Sequence, residues 1–239
     1  MKNLINLSDL TKTDFLKILN HAEILEKNID NCLENKNIGL IFEKNSTRTR
    51  LSFQVGINQL QGNFIDIDLN NLNLNRFESY EDTFEIMSCY LDCLVFRTTD
   101  HKKLELAKKY FKKPIINALS DLSHPCQAIS DIYTLQQHFG SADNLNIVWM
   151  GDINNVLHSL IEATGFLRNT KIDVFTDEQI FKKIGHQYLE NHNIKFFFDI
   201  QIDILKEAHC IMTDVFNSMN DKVDKEALLK KFMVNQDIM

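Results

Sequence analysis

Five consecutive residues, Ser46-Thr47-Arg48-Thr49-Arg50, bring together three hydroxyls and two guanidinium groups. They follow the apolar run Gly39-Leu40-Ile41-Phe42 and precede a helix-like segment from Leu51 to Leu60. A strand that gives way to donors at a helix start suits an anion, because orphan backbone N–H groups and the positive end of the helix dipole meet there. Ser46 fits the N-cap position, with Thr47, Arg48 and Thr49 in the first turn. Cations are disfavoured in a first turn, so Arg48 signals a negative group arriving from outside. A capped helix with two surface arginines is the bland alternative, and it leaves the five-residue cluster directly after a strand unexplained.

Other residues of the same kind sit at predicted strand ends and helix starts. Arg97 closes the run Cys93-Leu94-Val95-Phe96, and His124 precedes Pro125 with Gln127 one helical turn on, so that both can face one ligand. Further along come Asn154-Asn155 after Gly151-Asp152, then Asp214, then Ser218-Met219. The first group is basic and rich in donors; the second is neutral to acidic and suits an amino acid. Two such half-sites fit a two-substrate reaction. Gly151-Asp152-Ile153-Asn154-Asn155 resembles a dinucleotide loop, but Ile153 stands where the second glycine of G-x-G-x-x-G belongs, which argues against a nicotinamide cofactor. Cys126 beside His124 could suggest a thiol nucleophile, yet adjacent helical residues diverge and no third orienting group is evident.

The elements that must position these groups alternate strand and helix. A helix from about Thr11 into the Lys27 region carries Phe15, Ile18, Leu19, Ala22 and Leu25 on one face. Strands are predicted at Ile38 to Phe42, Phe64 to Ile67, Cys93 to Phe96, Ile115 to Ala118, Asn146 to Met150, Lys171 to Phe175, Ile194 to Phe198 and Cys210 to Met212. Helices are predicted between them, including Asn155 to Leu167 and Glu178 to Asn191, while Asn70 to Phe77 is polar and expected to be a loop. Ser79 with Asp82 has the form of a capping box. This order implies an α/β chain of two doubly wound parallel-sheet domains of similar topology. The boundary falls near Gly140, giving domains 1–140 and 141–239. Ligands in such sheets bind beyond the carboxyl ends of the strands, where both groups of polar residues lie.

The net charge of -7, from 26 basic and 33 acidic residues, excludes nucleic acid as the main partner, since a polyanion needs a basic face. No apolar run is long enough to cross a bilayer, and the N-terminus lacks a signal-peptide core. Five cysteines without a CxxC pair give no zinc site and no disulfide framework. Reduced thiols and a cytoplasmic location are the expectation.

Phe42-Glu43-Lys44-Asn45-Ser46-Thr47-Arg48-Thr49-Arg50 resembles the carbamoyl-phosphate signature of the aspartate/ornithine carbamoyltransferase family. His124-Pro125-Cys126-Gln127 is similar to its second shared motif, with Arg97 placed between as in the family. The paired asparagines of Gly151 to Leu160 and the segment Thr213 to Met219 resemble the ornithine branch. The lysine expected before Glu78 and the arginine-bearing segment expected after Asp152 in the aspartate branch are missing. The resemblance implies transfer of a carbamoyl group from carbamoyl phosphate to the δ-amine of L-ornithine, in arginine biosynthesis or a catabolic arginine route, with no metal or organic cofactor.

The resemblance also implies roles. Ser46, Thr47, Arg48 and the helix N-terminus hold the phosphate. Arg97, His124 and Thr49 converge on the carbonyl oxygen, and Gln127 accepts from the carbamoyl amide. Asn155 holds the ornithine carboxylate, Asp214 and Ser218 the α-ammonium, and Met219 packs nearby. Arg50, two residues from Arg48, is structural. The family's loop around Asn75 to Ser79 reaches a neighbouring subunit, which implies a homotrimer or a multiple of trimers. Beyond Met239 the family has a further strand, a His-Cys-Leu-Pro motif and a substrate-contacting arginine. The sequence is therefore expected to lack its C-terminal segment, leaving the second domain incomplete with an exposed sheet edge. Two other classes share the first half-site: a carbamoyltransferase for aspartate, putrescine or acetylornithine, and a non-catalytic fragment that binds carbamoyl phosphate.

Overall fold

The computed structural model describes residues 3–69, 78–217, 224–236 and 238. Its Cα packing divides the chain into two compact units, Met1–Cys126 and Gln127–Met239. The division falls in the first turn of a helix that spans Pro125–Phe139.

The first unit is a four-stranded parallel sheet ordered β2-β1-β3-β4, with β1 Asn37–Phe42, β2 Asn63–Ile67, β3 Cys93–Arg97 and β4 Ile115–Leu119. Its helices are α1 Lys12–Lys27, α2 Thr47–Gln59, α3 Tyr80–Tyr90 and α4 His101–Tyr110. The central strands are apolar on both faces because both faces are covered. Leu94 and Phe96 of β3 pack with Ile41, Phe84, Met87 and Leu104 on the α3 and α4 side. Val95, between them, packs on the opposite side with Ile38, Leu40, Ile57 and Ala118. The period of two in the strand thus anchors helices on both faces and fixes where each strand ends.

The second unit repeats the parallel α/β plan with strand order β7-β6-β5-β8, where β5 is Asn146–Met150, β6 Lys171–Phe175, β7 Ile194–Phe197 and β8 Cys210–Thr213. Its helices are α5 Pro125–Phe139, α6 Asn155–Thr164, α7 Glu178–Ile184, α8 Ile202–Lys206 and α9 Glu226–Leu229. In the first sheet the chain runs from β1 outward to β2 and then crosses to β3 on the other side. In the second it runs β5, β6, β7 and returns to β8 beside β5. Each sheet therefore has one crevice where the winding direction reverses, between β1 and β3 and between β5 and β8, and such crevices are where α/β sheets take ligands.

Two helices are shorter than the periodicity predicts. The helix expected over Asn155 to Leu167 ends at Thr164, after which Phe166 and Leu167 continue as single turns onto Ala163 and Thr164. The helix expected over Glu178 to Asn191 ends at Ile184 and tightens into a 3-10 turn, Gly185–Tyr188. A Cβ at Gly185 would lie 2.1 Å from the Phe181 ring, so the close approach needs glycine. Helix α9 carries no strong sequence signal. The expected loop, Asn70 to Phe77, lies outside the described residues.

Phe84 is 1% exposed, and its ring lies 6.1 Å from that of Phe96, between α3 and the sheet. Phe84→Ala should cost about 3–5 kcal/mol in a urea titration, lowering the midpoint without changing the slope. A loss below about 1 kcal/mol would mean that this face of the sheet is not a tightly packed core.

Candidate active site

Register brings Arg97 to Ser46 and Thr49. Phe42 and Arg97 are paired across β1 and β3, and the Glu43 amide donates to the Arg97 carbonyl at 3.0 Å. The pairing of β3 with β4 slips between Phe96 and Arg97, so a bulge sits where the arginine leaves the sheet. Glu43 fastens the turn beyond: its carboxylate accepts from the Thr98 hydroxyl at 2.5 Å and pairs with the Lys103 ammonium. The chain leaving β1 is thereby held against the end of β3, and the next residues start α2.

Ser46 occupies the N-cap of α2, but its side chain caps nothing. Its Oγ instead accepts from Arg97 Nη1 at 3.0 Å, and the same nitrogen donates to Thr49 Oγ1 at 3.2 Å. The N-termini of α1, α3, α4, α6 and α7 are each satisfied by a side chain, from Thr11, Ser79, Asp100, Asn154 and Asp177. Helix α2 has neither a side-chain cap nor an acidic residue in its first turn. Thr47 and Arg48 are exposed there, and the Arg48 side chain has no ion-pair or hydrogen-bond partner among the described residues. Arg50 is engaged elsewhere, with Nε 3.6 Å from Asp66 and its guanidinium 5.2 Å over the Phe42 ring.

Arg97 is 6% exposed and forms no ion pair among the described residues, and its buried Nε lacks a hydrogen-bond partner there. Burial lowers its pKa, yet a guanidinium stays charged at any physiological pH. His124 is also buried, and its pKa is brought down to about 4, by desolvation first and then by the charge of Arg97. The imidazole is therefore neutral near pH 7, a hydrogen-bonding group rather than a second cation. Cys126 donates weakly to the Asn117 carbonyl at 3.4 Å, and burial pushes its thiol up to about 12, which rules out a resting thiolate. Gln127, in the first turn of α5, is exposed and donates from Nε2 to Asp131 Oδ1 at 2.8 Å.

In the second unit the β5–β8 crevice gathers the asparagines and Asp214. Gly151 turns the chain off β5 with φ +136°, a conformation that disfavours any side chain. Asn154 then caps α6, its Oδ1 accepting from the Val156 and Leu157 amides at 3.0 and 3.1 Å. Its other end, Nδ2, donates to Asp214 Oδ2 at 2.8 Å, just beyond β8. Asn155 is the first residue of α6. Asp152 is buried and bound by Lys225 Nζ at 2.7 Å. The remaining residues of the expected set, Ser218 and Met219, lie outside the described residues.

Sequence reasoning named Asn154 with Asn155 but gave the ligand role to Asn155 alone and no capping role to Asn154, although an asparagine immediately before an apolar helix is itself a cap signal. It could not find the Lys225 contact, which joins positions 73 residues apart.

Comparison with known proteins decides the family. Residues 2–137 match the family model for the aspartate/ornithine carbamoyltransferase carbamoyl-P binding domain, and residues 143–239 match that for the Asp/Orn binding domain. The chain belongs to the aspartate/ornithine carbamoyltransferase family. It is 35% identical to the ornithine carbamoyltransferase of Methanocaldococcus jannaschii, over 96% of this chain and 78% of that one. Among solved structures it is similar to the anabolic ornithine carbamoyltransferase of Campylobacter jejuni, with TM-score 0.86 and 30% identity over 100% of this chain and 82% of that one. It is also similar to the Pyrococcus furiosus ornithine carbamoyltransferase, with TM-score 0.84 and 33% identity over 99% and 80% of the two chains. This carbamoyltransferase chain thus spans about four-fifths of the length of these relatives.

The neutral His124 has a thermodynamic signature. Its pKa falls from 6.5 to about 4 on folding, so between those values the unfolded state binds the extra proton. Stability should therefore be full above pH 6.5 and decline as the pH falls toward 4, by about 3 kcal/mol from this group. His124→Gln should show a shallower decline over that window in chemical denaturation. Parallel pH profiles for the two proteins would contradict the buried, neutral ring.

Proposed function

We propose that this chain transfers the carbamoyl group of carbamoyl phosphate to the δ-amine of L-ornithine, giving L-citrulline and phosphate. The observation that carries the reading is the basic, uncapped N-terminus of α2 joined through Ser46 and Thr49 to a buried arginine without an ion-pair partner among the described residues. Carbamoyl phosphate is a dianion attached to an electrophilic carbonyl, and it needs both a phosphate cradle and a carbonyl-polarising donor. Membership of the family and the names of the relatives at 30–35% identity support ornithine as the acceptor. Residues 1–140 take the carbamoyl phosphate in this reading, and residues 141–239 the ornithine.

The phosphate is bound by the first-turn N–H groups of α2, the Ser46 and Thr47 hydroxyls and the Arg48 guanidinium. Arg97, neutral His124 and Thr49 donate to the carbonyl oxygen, where negative charge builds up as the tetrahedral intermediate forms. Loss of one such donor costs about 3 kcal/mol of transition-state stabilisation. Gln127 orients the carbamoyl amide. Asn155 receives the ornithine carboxylate and Asp214 its α-ammonium, with Ser218 and Met219 completing that end. The δ-nitrogen, once deprotonated, attacks the carbonyl carbon, and the carbon–oxygen bond to phosphate breaks. Phosphate leaves with the bonding pair, and the nitrogen gives up a second proton. The leaving group is already activated, so the chemistry needs neither metal nor organic cofactor. A homotrimer or multiple of trimers, a cytoplasmic location and a place in arginine metabolism belong to the same reading.

The test supplies carbamoyl phosphate with ornithine, aspartate, putrescine or acetylornithine in turn and measures ureido product and phosphate. Citrulline from ornithine alone is expected. Product from a different amine would reassign the acceptor, and binding without turnover would make the chain a carbamoyl-phosphate-binding protein. Arg48→Ala should weaken carbamoyl phosphate binding about a hundredfold in calorimetry. Unchanged affinity would remove the α2 terminus from the phosphate site.

A further inference from the structure

The amide of Gln127 is a two-ended group, an oxygen that accepts and a nitrogen that donates, and only one end suits a carbamoyl NH2. In the structure Gln127 Nε2 donates to Asp131 Oδ1 at 2.8 Å, four residues on along α5. A carboxylate accepts and cannot donate, so the ionised Asp131 dictates which way the amide faces. The nitrogen is committed to Asp131, and the oxygen is the end left for a ligand. A solvent-exposed glutamine without that contact would sample both faces and lose side-chain freedom on binding.

We propose that Asp131 is a positioning residue for carbamoyl phosphate, acting through Gln127 by holding its amide with the oxygen outward. This rests on the carbamoyl-phosphate reading above and adds a residue to it. Burial raises the pKa of Asp131; the Gln127 hydrogen bond opposes this by favouring the ionised, acceptor-only form, and the nearby charge of Asp214 adds to the rise. Asparagine at the same position would keep the volume but offer either end to Gln127, so that the amide could pair in both senses.

The test compares two anions on the intact enzyme by calorimetry: carbamoyl phosphate, which has the amide, and inorganic phosphate, which does not. Asp131→Asn should weaken carbamoyl phosphate about tenfold and leave inorganic phosphate within about twofold. Asp131→Glu, which keeps an acceptor-only group, should recover part of the loss. In the Gln127→Ala background Asp131→Asn should have no further effect, because the cycle removes the only route by which Asp131 acts. Equal weakening of both anions, or additive losses in the double variant, would make Asp131 a structural residue and overturn the proposal. Unchanged carbamoyl phosphate affinity in Asp131→Asn would do the same. If Asp131→Asn does not fold, Asp131→Ala, which removes the acceptor, decides in its place: an unchanged ratio of the two affinities overturns the proposal, and a selective loss of carbamoyl phosphate supports it. Failure of the wild-type protein to bind carbamoyl phosphate at all would instead fault the underlying functional reading.

Discussion

The buried guanidinium of Arg97, held by two hydroxyls, is the interaction on which the first half-site depends. Taking a guanidinium out of water costs several kcal/mol unless charge and hydrogen bonds replace the lost hydration. Here the replacements are neutral: Ser46 Oγ and Thr49 Oγ1 on one nitrogen, with no carboxylate in ion-pair range among the described residues. Positive potential is therefore stored at a buried side chain, and the α2 dipole adds to it. Burial, and after it the charge of the same arginine, keeps His124 neutral. An anion entering this site meets donors already in place, which is how an enzyme stabilises developing charge without reorganising at the moment of reaction.

The cost of that arrangement is carried by the fold. Ser46 forgoes the capping that Thr11, Ser79, Asp100, Asn154 and Asp177 provide for their helices. A lost cap costs about 1 kcal/mol, which a packed sheet can absorb. The β1–β3 register, the bulge at Arg97 and the Glu43 clasp keep the hydroxyls within reach of the guanidinium. Asn154 works differently, capping α6 with one end of its amide and orienting Asp214 with the other. One crevice leaves its helix terminus uncapped; the other uses its terminus to aim a carboxylate.

Much of this was legible in the residues. Short, mainly apolar runs bounded by polar turns marked the strands, because central strands covered on both faces do not alternate. The hydroxyl and guanidinium cluster at Ser46 to Arg50 marked a candidate anion site, because an arginine in a first turn conflicts with an ordinary helix start. Less accessible were properties that depend on pairing across the chain. That Ser46 serves Arg97 rather than its own helix requires the β1–β3 register. The stop of α7 at Gly185 depends on a contact with Phe181 one turn away, which periodicity does not encode. Lys225 and Asp152 meet across 73 positions of the sequence, a pairing that no local pattern encodes.

The central claim is that Arg97 is pre-set to polarise the carbonyl of carbamoyl phosphate. Infrared difference spectroscopy with carbonyl-labelled carbamoyl phosphate tests it directly, comparing the wild-type protein with Arg97→Met at concentrations that saturate both. The account predicts a carbonyl band at lower frequency on the wild-type protein than in water, moving back toward the free value in Arg97→Met while the phosphate remains bound. The same band position on both proteins would contradict it.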